Sequence, residues 1–239
     1  GHGEAILRAP QSMMRVAIAG AGRMGRAIAA VLESQEDLEL AGFWGRGDDL
    51  DALAGDADVV IDFSLPDGTM QVLETVIAHG KPLVCGVSGL SDEQLARVDA
   101  ASESIPLVYD RNMSLGIAVL ARSVRDAAAS LGMDFDVEIA EVHHVHKKDA
   151  PSGTALKLGE IVAAARGEEG TGTVRFSSER RGEVPGDHEV TMSSPTERLT
   201  FAHSVTTRGV FADGAVRAAR WVVDQPPGRY DMGDVLFGT

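Results

Sequence analysis

The feature that most constrains this chain is a rhythm that starts at Arg15, where short β-branched runs begin to alternate with longer stretches of helical periodicity. Residues 15–19 (RVAIA) read as a buried strand and 23–34 (RMGRAIAAVLES) as a helix. Residues 38–44 and 58–63 read as further strands, and 67–80 as a helix closed by Gly80. A strand at 82–87, a helix at 91–102 and a strand at 106–110 complete the run. Strand then helix, repeated, implies parallel strands joined by right-handed crossovers. The sequence therefore predicts an α/β fold with a Rossmann-like, doubly wound parallel sheet.

After residue 114 the rhythm changes. Residues 114–132 form a long amphipathic pattern, 135–145 a strand, and 154–167 a second helix. Three strand-like runs, 173–178, 188–194 and 197–207, then follow with no helix between them. Consecutive strands favour an antiparallel or mixed sheet, so a second, α+β domain is expected. Residues 214–225 are helical again, and the tail RYDMGDVLFG is expected to return to the first domain. Residues 1–13 are set aside as a tag or disordered lead, with no signal-peptide pattern.

Composition narrows the function classes. The formal net charge is -14, a field that repels nucleic acid and anionic membranes. An anionic substrate then needs a site that gathers positive groups. No apolar stretch approaches the ~20 residues that span a bilayer. The one cysteine, Cys85, sits in an apolar run and reads as a buried structural thiol of a reducing, cytoplasmic compartment.

Gly20, Ala21, Gly22, Arg23, Met24 and Gly25 spell GAGRMG between the first strand and the first helix. Glycines here let the backbone turn tightly and approach a pyrophosphate seated on the helix N-terminus. An acidic residue ~20 positions on would hold the adenine ribose. Gly45 stands about there, followed by Arg46, which favours the 2′-phosphate of NADPH. Asp48 and Asp49 are near enough to bind ribose, so NADH use stays open.

The second chemical signal is residues 138–155, EIAEVHHVHKKDAPSGTA. On a straight strand His143 and Lys147 share a face but stand about 13 Å apart. They reach one small substrate only from opposite ends, or if the chain turns near residue 146, and Asp149, Ala150 and Pro151 supply such a turn. Pro151 is suited to the first turn of the next helix. Ser152, Gly153 and Thr154 then offer backbone N–H groups and a hydroxyl at a helix start, an anion site fit for a carboxylate. His144 and His146 point to the opposite face, a poor start for a metal site, and none is assigned. A solvated polar edge is the plain alternative.

The segments GAGRMG, VIDFSLPDG, GKPLVCGVSG, NMSLG, EIAEVHHVHKKDAPSGTA, RRGEVPGDHEV and ERLTFAHSVTTRGVFADGAVRAARWV together resemble the 4-hydroxy-tetrahydrodipicolinate (dihydrodipicolinate) reductases. The resemblance runs from Val16 over nearly the whole chain, and the HH-x-x-K-x-DAPSGTA run is specific to that family. It implies an NADPH- or NADH-dependent oxidoreductase of lysine and diaminopimelate biosynthesis, acting on a small dicarboxylate as a homotetramer. It implies His143 as the acid/base group and Lys147 as the proton donor, with His144, Gly153 and Thr154 on the substrate. Gly86, Val87 and Ser88 stand where the family has a Gly-Thr-Thr run beside the nicotinamide. Asp110, Arg111, Asn112 and Met113 match another cofactor loop. The glycine loop is one residue shorter than usual there, and DRNMS replaces a more usual Ala-Pro-Asn-Phe-Ser.

The expected organisation is thus a dinucleotide-binding domain of residues 14–114 and 215–239, and a substrate-binding and oligomerisation domain of 115–214. The residues alone leave room for another Rossmann reductase, for a silent dinucleotide-binding sensor, or for a metal-dependent hydrolase.

Overall fold

The structure, a computed structural model, describes residues 13–45 and 47–238. Arg46, proposed for the adenine ribose, lies outside the described residues, as do residues 1–12. In chain order the first part holds β1 (Met14–Ala19), α1 (Arg23–Glu33), β2 (Leu38–Trp44), α2 (Leu50–Asp56), β3 (Val59–Asp62), α3 (Pro66–His79), β4 (Leu83–Cys85), α4 (Asp92–Ser102) and β5 (Pro106–Tyr109). The second part holds α5 (Leu115–Leu131), β6 (Asp136–His143), α6 (Gly153–Ala165), β7 (Arg175–Arg180), β8 (Asp187–Ser193), β9 (Arg198–Ser204), α7 (Gly209–Val222), β10 (Gly228–Tyr230) and α8 (Met232–Phe237).

The first sheet is parallel, with order β10-β5-β4-β3-β1-β2. β3 and β4 are buried at every position, as expected for strands covered on both faces. Ile18, Val59 and Ile61 face α1 and α7, while Val60, Leu83 and Leu107 face α3 and α4. Cys85 is fully buried in that second layer. The C-terminal stretch rejoins this sheet, with β10 pairing β5. Among the described residues no helix is long and apolar enough to cross a membrane.

The second sheet has order β7-β6-β8-β9 and is mixed: β6 pairs β7 in parallel, and the other pairs are antiparallel. One face packs on α5 and α6 through Leu120, Val124, Ile139, Leu158, Val190 and Met192. The other turns Glu138, Ala140, Glu189, Thr191, Thr200 and Ala202 outward, half-buried or exposed.

Four details depart from the sequence reading. α2 is an unanticipated helix, seven residues long, opened by Asp49, whose carboxylate accepts the Ala52 N–H at 3.0 Å. α7 starts at Gly209, not at 214. Gly214 is an interior packing position, where a Cβ would sit 1.7 Å from the Met113 carbonyl oxygen. The strand expected to reach Val145 ends at His143, where the ladder with β7 ends at Arg180. Pro151 lies outside the first turn of α6, which Ser152 caps by accepting the Ala155 N–H at 3.1 Å.

Candidate active site

A cleft of about 950 Å³ runs from the carboxyl ends of the parallel strands to the start of α6. That is where doubly wound sheets bind ligands. It brings together Met24, Gly86, Val87, Ser88, Arg111, Asn112, Met113, His143, His144, Lys147, Gly153 and Thr154. Gly20, Ala21, Gly22, Arg23, Gly25 and Asp110 are not on its wall.

The glycine loop lies at the carboxyl end of β1, between β2 and β3. Gly20 has φ +102°, and a Cβ there would stand 2.7 Å from the Phe63 carbonyl oxygen. A Cβ on Gly25 would meet the Gly20 carbonyl oxygen at 1.9 Å, so the loop and α1 close together only through glycine. Around Gly22 a Cβ would meet nothing within 4 Å. α1 has no side-chain cap and no acidic residue in its first turn. By contrast α2, α4, α5, α6 and α8 are each capped by a Ser or Asp side chain. The Arg23, Met24 and Gly25 amides have no acceptor among the described residues. This exposed, uncapped, electropositive start fits a dinucleotide pyrophosphate. Asp48 and Asp49, expected as ribose partners, serve their own loop. Asp48 accepts the Gly45 N–H at 2.8 Å and Asp49 caps α2.

The loop after β5 ties the first sheet to α6. Asp110, 3% exposed, accepts from Lys157 Nζ at 2.6 Å and from the Met232 and Asn112 N–H groups at 3.2 Å each. Its carboxylate is therefore an anchor, turned from the cleft. Met113 anchors the loop in the core at 1% exposure. Arg111 pairs two-pronged with Glu160 of α6, both contacts at 3.2 Å. Asn112 accepts the Ser114 N–H at 2.9 Å and donates through Nδ2 to Thr154 Oγ1 at 3.1 Å. The proposed cofactor loop thus holds the proposed substrate helix directly.

The chain does turn near residue 146, as expected, but residues 144–147 close the turn rather than Asp149, Ala150 and Pro151. The Lys147 N–H donates to the His144 carbonyl at 3.1 Å, closing a turn over Val145 and His146. Lys147 Nζ reaches Asp149 at 2.7 Å. The Gly153 and Thr154 amides at the start of α6 have no acceptor among the described residues. His144 lines the cleft with a buried Nδ1 that lacks a partner there. Burial, then Arg208, lowers its pKa. Exposed His146 points away and meets Glu183 at 3.3 Å. Among the described residues no three His, Cys, Asp or Glu groups are arranged to hold a metal.

His143 is 8% exposed. Its Nδ1 bonds Glu141 Oε2, and Glu141 receives both ends of the Arg180 guanidinium at 3.0 Å each. Burial pushes the Glu141 pKa up, but Arg180 and then His143 outweigh it and bring it down to about 2. His143 itself is lowered by burial, against the raising effect of Glu141. His188, opposite Glu141 on β8, stands edge-on to His143 with ring centres 5.1 Å apart and bonds Ser152 Oγ at 3.1 Å. Burial, then His143, lowers its pKa to about 3, so it stays neutral near pH 7.

Glu141, Arg180, His188 and Arg208 escaped the sequence reading. Glu141 was within reach, because strand alternation puts it on the His143 face. The others arrive from distant strands or, for Arg208, from the residue before α7, where it lines the cleft.

Comparisons with known proteins follow the same division. The N-terminal model of dihydrodipicolinate reductase matches residues 14–113, and the C-terminal model matches 116–236. The 4-hydroxy-tetrahydrodipicolinate reductase of Caulobacter vibrioides is 45% identical over 93% of this chain and 97% of its own. That of Zymomonas mobilis is 41% identical over 95% of this chain and 98% of its own. A dipicolinate-bound dihydrodipicolinate reductase from Paenisporosarcina sp. TG-14 shares the fold, with a TM-score of 0.78 at 23% identity over 94% of this chain and 99% of that one. With both halves matched and relatives of this identity spanning their full lengths, the chain belongs to the dihydrodipicolinate reductase family.

Proposed function

We propose that this protein reduces 4-hydroxy-tetrahydrodipicolinate to tetrahydrodipicolinate, with loss of water, using NADPH or NADH in lysine and diaminopimelate biosynthesis. One observation carries the reading. His143, Lys147 and the start of α6 at Gly153 and Thr154 line one cleft with Gly86, Val87, Ser88 and Asn112.

When bound, the nicotinamide supplies the hydride. The chain's own residues do the rest. The Gly153 and Thr154 amides receive one substrate carboxylate at the positive end of α6. Lys147 leaves Asp149 to meet a substrate carboxylate. Lys148 and Arg208 line the same cleft without a carboxylate partner among the described residues, which gathers positive charge in a protein of net charge -14. His143 carries the proton, an acid/base role typically worth about 10²–10⁴-fold. Lys147 is the second proton source, and His144 borders the substrate. Gly20 to Gly25 hold the pyrophosphate, with Arg46 on the adenosine side. Gly86 to Ser88 and the Asp110–Met113 loop border the nicotinamide half.

The cytoplasm suits a chain whose lone thiol is buried and unpaired. The homotetramer is what the family suggests, and the outward face of the second sheet, which carries Glu138, Ala140, Glu189, Thr191, Thr200 and Ala202, is a surface open to it. Sedimentation equilibrium should give four times the 25.1 kDa chain mass.

The decisive assay is NADPH and NADH oxidation with substrate formed in situ by a synthase. His143→Ala and Lys147→Ala should each lower kcat by at least about 10²-fold. Rates within a few-fold of the parent for both variants would refute the assignment.

A further inference from the structure

We infer that Glu141 and Arg180 are a positioning pair, which fixes the proton on Nδ1 of His143 and holds the backbone of the Lys147–Asp149 segment beside it. The functional consequence rests on the proposed reaction, but the tautomer is a property of the free protein and can be tested without it.

Glu141 and His143 lie two residues apart on β6 and so share a face. Arg180 is the residue of β7 opposite His143. The Glu141 side chain has no exposed surface, and the Arg180 fork occupies both of its oxygens. A carboxylate in that state only accepts hydrogen bonds. Nδ1 of His143 must therefore be the donor in the Glu141 contact. The neutral ring then keeps Nε2 bare, and the charged ring presents Nε2–H. That nitrogen lies beside Gly186 (φ +152°), where a Cβ would come within 2.9 Å, so glycine keeps it uncovered.

Arg180 does more than neutralise Glu141. A guanidinium has five N–H groups, and here each has an acceptor. Two reach Glu141, and the others reach the carbonyl oxygens of Glu179 at 2.8 Å, Lys147 at 3.3 Å and Asp149. One planar cation thus spans the support of His143 and the backbone that carries Lys147. A lysine, with three donors on one atom, cannot reproduce this. The other titratable groups facing the ring are Lys147 from the following loop, His188 from β8 and the adjacent His144. Glu141 is the only anion in this set, so it alone favours the charged ring.

The test uses the whole enzyme. Long-range ¹⁵N–¹H spectra, with His143 identified by its loss in His143→Gln, should show the Nδ1–H tautomer in the parent. Glu141→Gln removes the fixed acceptor. The variant should show mixed tautomers, a His143-dependent limb of the kcat/KM profile moved to lower pH, and a kcat lowered about 10²–10⁴-fold. Its cofactor KM should hold. Arg180→Lys should retain part of the rate and raise the KM for the dicarboxylate more than that for the cofactor. A parent found as Nε2–H would overturn the inference. So would a folded Glu141→Gln enzyme with the parent's tautomer and pH limb. If that variant does not fold, the parent spectrum and Arg180→Lys decide. Absence of turnover in the parent would count against the proposed reaction and leave the tautomer result standing.

Discussion

A single methyl group placed at Gly25 or at Gly22 should harm this protein in two different ways. At Gly25 the new carbon would sit 1.9 Å from the Gly20 carbonyl oxygen, backbone against backbone, with Ile18 also close. No rotamer change relieves that contact, so α1 and the loop must part by about 1.5 Å, and overpacking of this kind costs about 3 kcal/mol. For a domain of this size that is a fall in Tm of roughly 6–12 °C. At Gly22 the carbon would meet nothing, and the backbone (φ -78°, ψ -164°) suits any residue. The loss in capping preference and the gain from a stiffer unfolded chain, each about 0.5 kcal/mol, nearly cancel. Gly22→Ala should therefore melt within about 1–2 °C of the parent. The same carbon would stand where the proposed pyrophosphate approaches. Fluorescence titration with NADPH and NADH should then show Kd raised at least about tenfold, or 1.4 kcal/mol. Equal destabilisation by both variants, or parent-like cofactor binding by Gly22→Ala, would refute the division of labour drawn here.

Two further outcomes follow from buried charge. Lys157→Met strands the Asp110 carboxylate, whose side chain is 2% exposed, with only two backbone donors. Urea unfolding should register a loss of about 2–4 kcal/mol, and a loss below about 0.5 kcal/mol would deny Asp110 its anchoring role. The second outcome concerns acid. The folded state keeps His188 neutral down to about pH 3, whereas an unfolded histidine takes its proton near 6.5. The unfolded chain thus binds more protons between those values, and stability, complete above pH 6.5, is lost as pH falls through that window. His143, His144 and His203 are lowered by burial too and add to the same slope. Glu141, held at about 2, contributes stability that is lost only as pH falls below its ordinary 4.5. Between pH 6.5 and 4.5 the depressed histidines make stability fall with acid, opposed by Asp62, whose carboxyl pKa burial raises, and His188→Gln should reduce the slope by up to about 1.4 kcal/mol per pH unit. An unchanged slope would show that His188 takes up its proton in the folded state.

What the sequence made legible was short in range. A strand, a tight turn and a helix start occupy eighteen consecutive residues from Glu138 to Ala155, so alternation and capping rules reach most of that segment unaided. The glycine loop is equally local. Even there, the residues that close the turn escaped. Nothing in VHHVHKK marks Val145 and His146, because the strand ends where its neighbour's ladder ends, and that neighbour lies beyond α6. Asp110 and Met113 show a different failure. Both belong to a loop that borders the cleft, yet their side chains serve Lys157, Met232 and the core. Loop membership alone does not reveal which way a side chain faces.

Arg180 marks the limit most clearly. It lies 39 positions from Glu141 in the chain, beyond a turn, a helix and a loop, and no local pattern in FSSERRGEV sets it apart from Arg181. Strand alternation separates the two. Arg180 is the last residue of β7 and faces with His143, while Arg181 is turned to Glu179 and solvent. A parallel pair such as β6 and β7 needs a crossover, here supplied by α6, whose N-terminus is also the proposed carboxylate site. The crossover that brings Arg180 beside His143 is thus the element that offers the anion site. Weakening α6 should disturb both halves of the chemistry together, whereas Glu141→Gln should disturb only the proton.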